Sequence, residues 1–143
     1  MNTKTALITG ASSGIGEALA AEFAAGGFDL VLVARSEDKL RKLASSVEPR
    51  HGVRTRVEPS DLCTPGAASA LAKRLKQAKV SIDALVNNAG VLEHGLFVDT
   101  PAARHQELID LNISGLTSML SAFVPGMVAR GKGCVLNVAS IAA

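Results

Sequence analysis

Three glycines in the run Thr9-Gly10-Ala11-Ser12-Ser13-Gly14-Ile15-Gly16 separate an apolar stretch, Ala6-Leu7-Ile8, from a helix-like stretch, Glu17-Ala18-Leu19-Ala20-Ala21-Glu22-Phe23. Strand, glycine turn and helix in that order restrict the chain to a βα unit whose backbone passes close to any ligand at the turn. Gly10 permits a sharp exit from the strand, because glycine takes positive φ at little steric cost. Gly14 places no side chain between the backbone and a pyrophosphate, and Gly16 lets the helix lie close to the strand. The unpaired N–H groups of the helix start then face the phosphates, whose negative charge the helix dipole favours. A bare βα turn does not require three glycines. Gly10, Ser12, Ser13, Gly14, Ile15 and Gly16 are therefore the candidate dinucleotide-binding residues of the turn.

Size and composition narrow the possibilities further. A chain of 143 residues fits one domain and can bury a sizeable core. Its mean hydropathy of +0.27 is slightly apolar for a soluble domain and suggests surface that something else covers. A net charge of +2 with scattered basic residues argues against nucleic acid. The densest basic cluster, Lys39-Leu40-Arg41-Lys42, has the spacing of a solvated helix face. No segment is expected to be long and apolar enough to span a bilayer, so no membrane partner is expected. The N-terminus enters a strand within a few residues, which leaves no room for a signal peptide. Cys63 and Cys134 give neither a disulfide framework nor a zinc site. Cys134, in an apolar run, reads as a small core residue. His51, His94 and His105 lack metal-ligand spacing, so no metal is expected, and His94 reads as a solvated loop histidine. The expected compartment is reducing, hence the cytoplasm.

Strand and helix patterns alternate along the whole chain, as in an α/β domain with a parallel sheet. Strands are predicted at Thr5–Thr9, Asp29–Ala34, Val53–Glu58, Ala84–Asn87 and Gly133–Val138. The alternation of Val53, Thr55 and Val57 with Arg54 and Arg56 marks a sheet edge with one wetter face. The first helix ends at Gly26-Gly27. The second starts at Ser36, buries Leu40, Leu43 and Val47, and stops at Pro49. The third opens at Thr64-Pro65 and buries Ala68, Leu71 and Leu75. The fourth opens at Thr100-Pro101 and runs to about Arg130, with Pro125 inside it as a bend or break. Right-handed crossovers then give a Rossmann-type, doubly wound parallel sheet with its crevice between the first and fourth strands. Such sheets usually carry a second half, so this single dinucleotide-binding domain, residues 1–143, is expected to be incomplete at its C-terminus after the fifth strand.

The spacing Thr-Gly-x-x-x-Gly-x-Gly resembles that of the short-chain dehydrogenases/reductases, and four further segments match the family in order. Asp61-Leu62 resembles its adenine-contacting pair, and Asn87-Asn88-Ala89-Gly90 its Asn-Asn-Ala-Gly motif. Asn112, in Leu111-Asn112-Ile113-Ser114-Gly115, resembles its catalytic asparagine, and Ser140, in Asn137-Val138-Ala139-Ser140, its catalytic serine. The resemblance runs from Thr5 to Ser140. It implies cofactor binding by Asp61, Leu62, Asn88, Ala89 and Gly90, and a substrate carbonyl held by Ser140.

Arg35 follows the second strand, where a Rossmann domain chooses between its two nicotinamide cofactors. Ala34 occupies the position where the family puts the acid that binds a ribose 2′-hydroxyl. Arg35 instead offers a planar fork of donors to a 2′-phosphate. NADP(H) is therefore favoured over NAD(H), although Ser13 stands where many NADP-preferring members carry a second basic residue.

The family also uses a Tyr-x-x-x-Lys pair after the serine, its tyrosine as proton donor, and this sequence contains no tyrosine. The expected function is that of an NADP(H)-dependent oxidoreductase interconverting a small-molecule carbonyl and an alcohol, with the 143-residue chain alone inactive. The alternative is a non-catalytic dinucleotide-binding module. Asn112 and Ser140 favour the enzyme, because a binder needs neither. A different Rossmann-type enzyme, such as a methyltransferase, fits Arg35, Asp61 and the Asn-Asn-Ala-Gly run poorly. The long fourth helix carries Leu108, Ile109, Leu111, Ile113, Leu116, Met119, Leu120, Phe123 and Val124 on more than one side. One side should cover the sheet, and the family uses another part of this helix between subunits, so a homo-oligomer is expected.

Overall fold

Five short segments form parallel strands: β1 (Thr5–Thr9), β2 (Asp29–Ala34), β3 (Thr55–Pro59), β4 (Ala84–Asn87) and β5 (Cys134–Asn137). They lie in one sheet in the order β3-β2-β1-β4-β5. In this computed structural model, residues 3–140 are described. Helices α1 (Gly14–Ala25), α2 (Glu37–His51), α3 (Ala67–Gln77), α4 (Ala102–Ile109) and α5 (Leu116–Ala129) supply the crossovers.

Strand alternation sends successive side chains to opposite faces, and here it builds two cores. Ala6, Ile8, Leu30, Leu32 and Val86 face α1 and α2, where they meet Ala20, Ala24, Leu40, Leu43 and Val47. Leu7, Val31, Val33 and Leu85 face α3 and α5, where they meet Leu71, Leu75, Met119, Phe123 and Met127. Helices on both faces of an all-parallel sheet make it doubly wound. The strand order reverses between β1 and β4, so the ends of these strands open a crevice at the carboxyl edge.

Several local features differ from the sequence expectation. Helix α2 continues past Pro49 to His51, because the proline removes only one N–H bond and the Gly52 N–H closes the turn on Glu48 O at 2.9 Å. Helix α3 begins at Ala67 behind Gly66, not at Thr64-Pro65; those two residues belong to a turn closed by Thr64 N–H on Asp61 O. Strand β3 is shifted to Thr55–Pro59, and β5 ends at Asn137, which leaves Ser140 three residues beyond it. Cys134 is exposed rather than part of the core, because β5 is the outer strand of the described sheet. The expected long helix is continuous but not uniform: Asp110–Gly115 is a π-helical turn between α4 and α5. Pro125 does not break α5, since the carbonyl it frees belongs to exposed Ser121. The whole run Ala102–Ala129 is 28 residues long and, by length and composition, apolar enough to cross a membrane. The expectation that no segment reaches that length and apolarity is therefore corrected. Its stripe of Gly115, Met119, Phe123 and Met127 is seated in the domain.

Candidate functional site

The glycine turn is held to β4 by a buried threonine. Thr9 Oγ1 donates to Val86 O at 3.2 Å and accepts the N–H groups of Asn88 and Ala89, each at 3.0 Å. The Asn88 amide donates to Thr9 O at 3.1 Å and to Gly10 O at 3.3 Å, which pulls the Asn-Asn-Ala-Gly run against the turn. Helix α1 enters so closely that a Cβ on Gly16 would lie 2.1 Å from Gly10 O. At Gly14 the surroundings are open, and its φ of +57° is what calls for glycine. Ser13, the residue before α1, makes no side-chain capping bond. The first N–H groups of α1 have no carbonyl behind them in the helix and face the crevice, the geometry of an anion site.

The crevice is a cleft of about 480 Å³ lined by ten of the twelve expected cofactor residues: Gly10, Ser12, Ser13, Ile15, Arg35, Asp61, Leu62, Asn88, Ala89 and Gly90. Gly14 and Gly16 are not part of this lining: Gly14 borders a separate hollow between α1 and α2, and Gly16 packs against Gly10 O. That volume falls in the range of small-molecule and cofactor sites, roughly 300–1,000 Å³. Asp61 is exposed, and its Oδ1 accepts the Cys63 N–H at 3.0 Å, which forms the turn before α3. Leu62 is buried in the core and shows the cleft only its edge. Burial, and next the charge of Asp61, push the Cys63 thiol above its ordinary value.

Arg35 is two-thirds exposed at the cleft mouth and pairs with Glu107 of α4, Nη1 to Oε1 3.7 Å. Glu107 also binds Arg104, whose Nε donates to Glu93 at 2.7 Å. The hydrogen bond from Arg104 holds the Glu93 carboxyl below the usual carboxylate range, and that bond in turn raises the arginine.

Asn112 lies in the π-helical turn. Its Oδ1 accepts the Val91 N–H and its Nδ2 donates to Val91 O, both at 2.9 Å. The side chain thus reads the loop after β4 as a neighbouring strand would, and its role here is to position that loop. π-Turns concentrate at functional sites. Asn87 is buried; its Nδ2 donates to Asn137 Oδ1 at 2.9 Å and ties β4 to β5. Asn87 Oδ1 has no hydrogen-bond partner among the described residues. Ser140 is exposed on the same carboxyl edge, beyond β5.

A family model for short chain dehydrogenases matches residues 4–143. The chain belongs to the short-chain dehydrogenase family. It is 40% identical over 138 residues to the oxidoreductase UcpA of Escherichia coli K12, covering 96% of this chain and 52% of that protein. Among solved structures, a short-chain dehydrogenase from Sphingobium yanoikuyae in complex with NADPH is 40% identical with a TM-score of 0.89, over 96% of this chain and 54% of that one. L-sorbose reductase from Gluconobacter frateurii, complexed with NADPH and L-sorbose, is 36% identical with a TM-score of 0.91, over 98% and 53%. The chain therefore spans about half the length of these short-chain dehydrogenases.

Two site residues escaped the sequence reading. Thr9 stands at the head of the glycine motif, but its role rests on partners 77 to 80 positions away. Glu107 belongs to none of the motifs in the sequence. Only its position across the cleft from Arg35 brings it into the site.

Proposed function

We propose that this chain forms the cofactor-binding part of an NADP(H)-dependent oxidoreductase that interconverts a carbonyl and an alcohol. The observation that carries the cofactor is Arg35: it stands at the cleft mouth behind β2, with Ala34 where an acid would favour a 2′-hydroxyl. The cleft fits a dinucleotide. Its floor is the glycine turn, where the first N–H groups of α1 would hold the pyrophosphate, and Asp61 and Leu62 would hold the adenine end. The NADPH of the Sphingobium and Gluconobacter proteins supports the same reading.

The bound cofactor would supply the hydride. The chain's own residues would do the rest of what these positions allow. Ser140 would hold the substrate oxygen by its hydroxyl as charge develops there. Asn112 would hold the backbone of Val91, and with it the exposed apolar side chains Leu92, Leu96 and Phe97, as one wall for an apolar substrate. The 143 residues hold no tyrosine, so the family's proton donor is not among them. The chain alone is expected to bind dinucleotide without turnover. The alternative is a non-catalytic dinucleotide-binding module, which an assay of carbonyl reduction by the full-length protein separates. The apolar outer side of the α4–α5 run supports a homo-oligomer.

Calorimetric titration of the full-length protein with NADPH and NADH tests the cofactor. Tighter NADPH binding that reverses on Arg35→Asp is the expected result. Equal affinities, or no response to the substitution, overturn the assignment.

A further inference from the structure

Arg35 does not wait for its ligand alone. Its guanidinium projects from the end of β2, and Glu107 reaches toward it from α4, one helical turn ahead of Leu111 on the opposite wall of the cleft. The carboxylate is three-quarters buried while the arginine is two-thirds exposed, so the acid is the fixed partner and the arginine the movable one. At 3.7 Å the two charges attract without a hydrogen bond, which leaves the donor fork of Arg35 open. Glu107 is held by its other oxygen to Arg104, which is itself anchored on Glu93 in the loop after β4. The result is a line of four alternating charges, Arg35–Glu107–Arg104–Glu93, running from the ribose end of the cleft to the loop that Asn112 holds.

We infer that Glu107 sets how strongly the cleft discriminates between phosphorylated and unphosphorylated dinucleotide; the inference rests on the NADP(H) reading. Two effects act in the same direction. Glu107 neutralises Arg35 before a 2′-phosphate arrives, so the phosphate must replace an existing counter-ion. Once bound, the phosphate lies near a fixed negative charge that NADH, without that phosphate, does not meet. Arg104 works against both, because it draws the charge of Glu107 toward α4 and the Glu93 loop. Glu107 therefore lowers the NADPH preference that Arg35 creates, and Arg104 restores part of it.

The test is calorimetric binding of NADPH and NADH to the full-length protein carrying Glu107→Gln, Arg104→Gln or Arg35→Gln. Glu107→Gln is expected to raise the ratio of NADPH to NADH affinity two- to fivefold, the upper figure corresponding to the roughly 1 kcal/mol ceiling of exposed ion pairs. The gain should shrink as salt rises, since screening weakens both effects. Arg104→Gln should lower the ratio. If Arg35→Gln collapses the ratio while Glu107→Gln leaves it unchanged or lowers it, the role of Glu107 is refuted and the cofactor assignment stands. If Arg35→Gln leaves the ratio unchanged, the cofactor assignment fails and the role of Glu107 falls with it.

Discussion

At the scale of single residues, the site depends on groups that hold the backbone as much as on groups that face the cleft. Buried Thr9 accepts two partly buried amides and donates to a buried carbonyl. Thr9→Val keeps the shape and strands those amides, so it should cost about 1–3 kcal/mol of stability, read as a lower denaturant midpoint. Gly16→Ala should separate α1 from the turn, because its Cβ would occupy the place of Gly10 O; NADPH affinity should fall at least about tenfold, or 1.4 kcal/mol. Cys63 gives a pH-dependent check. Burial and Asp61 favour its neutral thiol, so its thiolate forms at higher pH than in a free cysteine. The rate of alkylation by iodoacetamide should therefore reach its midpoint above that of free cysteine, and Asp61→Asn should move the midpoint down. The glycines and Arg35 were legible in the sequence because local backbone geometry and charge mark them, whereas Asp61 stood out only through the family resemblance. Thr9 and Glu107 were not, because each acts through partners distant in the chain.

At the scale of elements, the strands were the most legible feature. β1, β2 and β4 are short apolar runs whose alternation feeds two cores, so pattern and burial agree there; β3 and β5 are the outer strands and contribute little to either core. Helix ends were less so. The Thr64-Pro65 pair carries a helix-start signal, yet the Asp61 turn takes those residues and moves the start to Ala67. Pro49 carries a stop signal that one remaining bond at Gly52 outweighs. The π-helical turn has no simple sequence signature; it carries Asn112, whose side chain bonds both backbone groups of Val91. Asn112→Ala should leave the two Val91 groups to solvent and loosen the loop at 91–97. Hydrogen exchange should then show lost protection of the Val91 amide, with little change in β1.

At the scale of the molecule, much apolar surface is open. All four residues of β5 are exposed, including Val135 and Leu136, and so are Ile109, Ile113 and Val128 of the long helical run. An open strand edge beside apolar patches favours association with other chains. Light scattering of the isolated 143-residue chain should show species larger than a monomer, and NADPH-dependent carbonyl reduction by it should be undetectable. A monodisperse monomer would contradict the first expectation, and turnover on the order of 1 s⁻¹ the second. Dinucleotide binding at the carboxyl edge of β1 and β4 is tested most directly by an amide map of the full-length protein titrated with NADPH. Saturable shifts are predicted at Ser12 to Gly16, Arg35, Leu62 and Ala89. The hollow at the opposite edge, lined by Lys4, Arg54 and Lys79, should stay silent. Saturable shifts centred on that hollow, with the glycine turn unmoved, would contradict it.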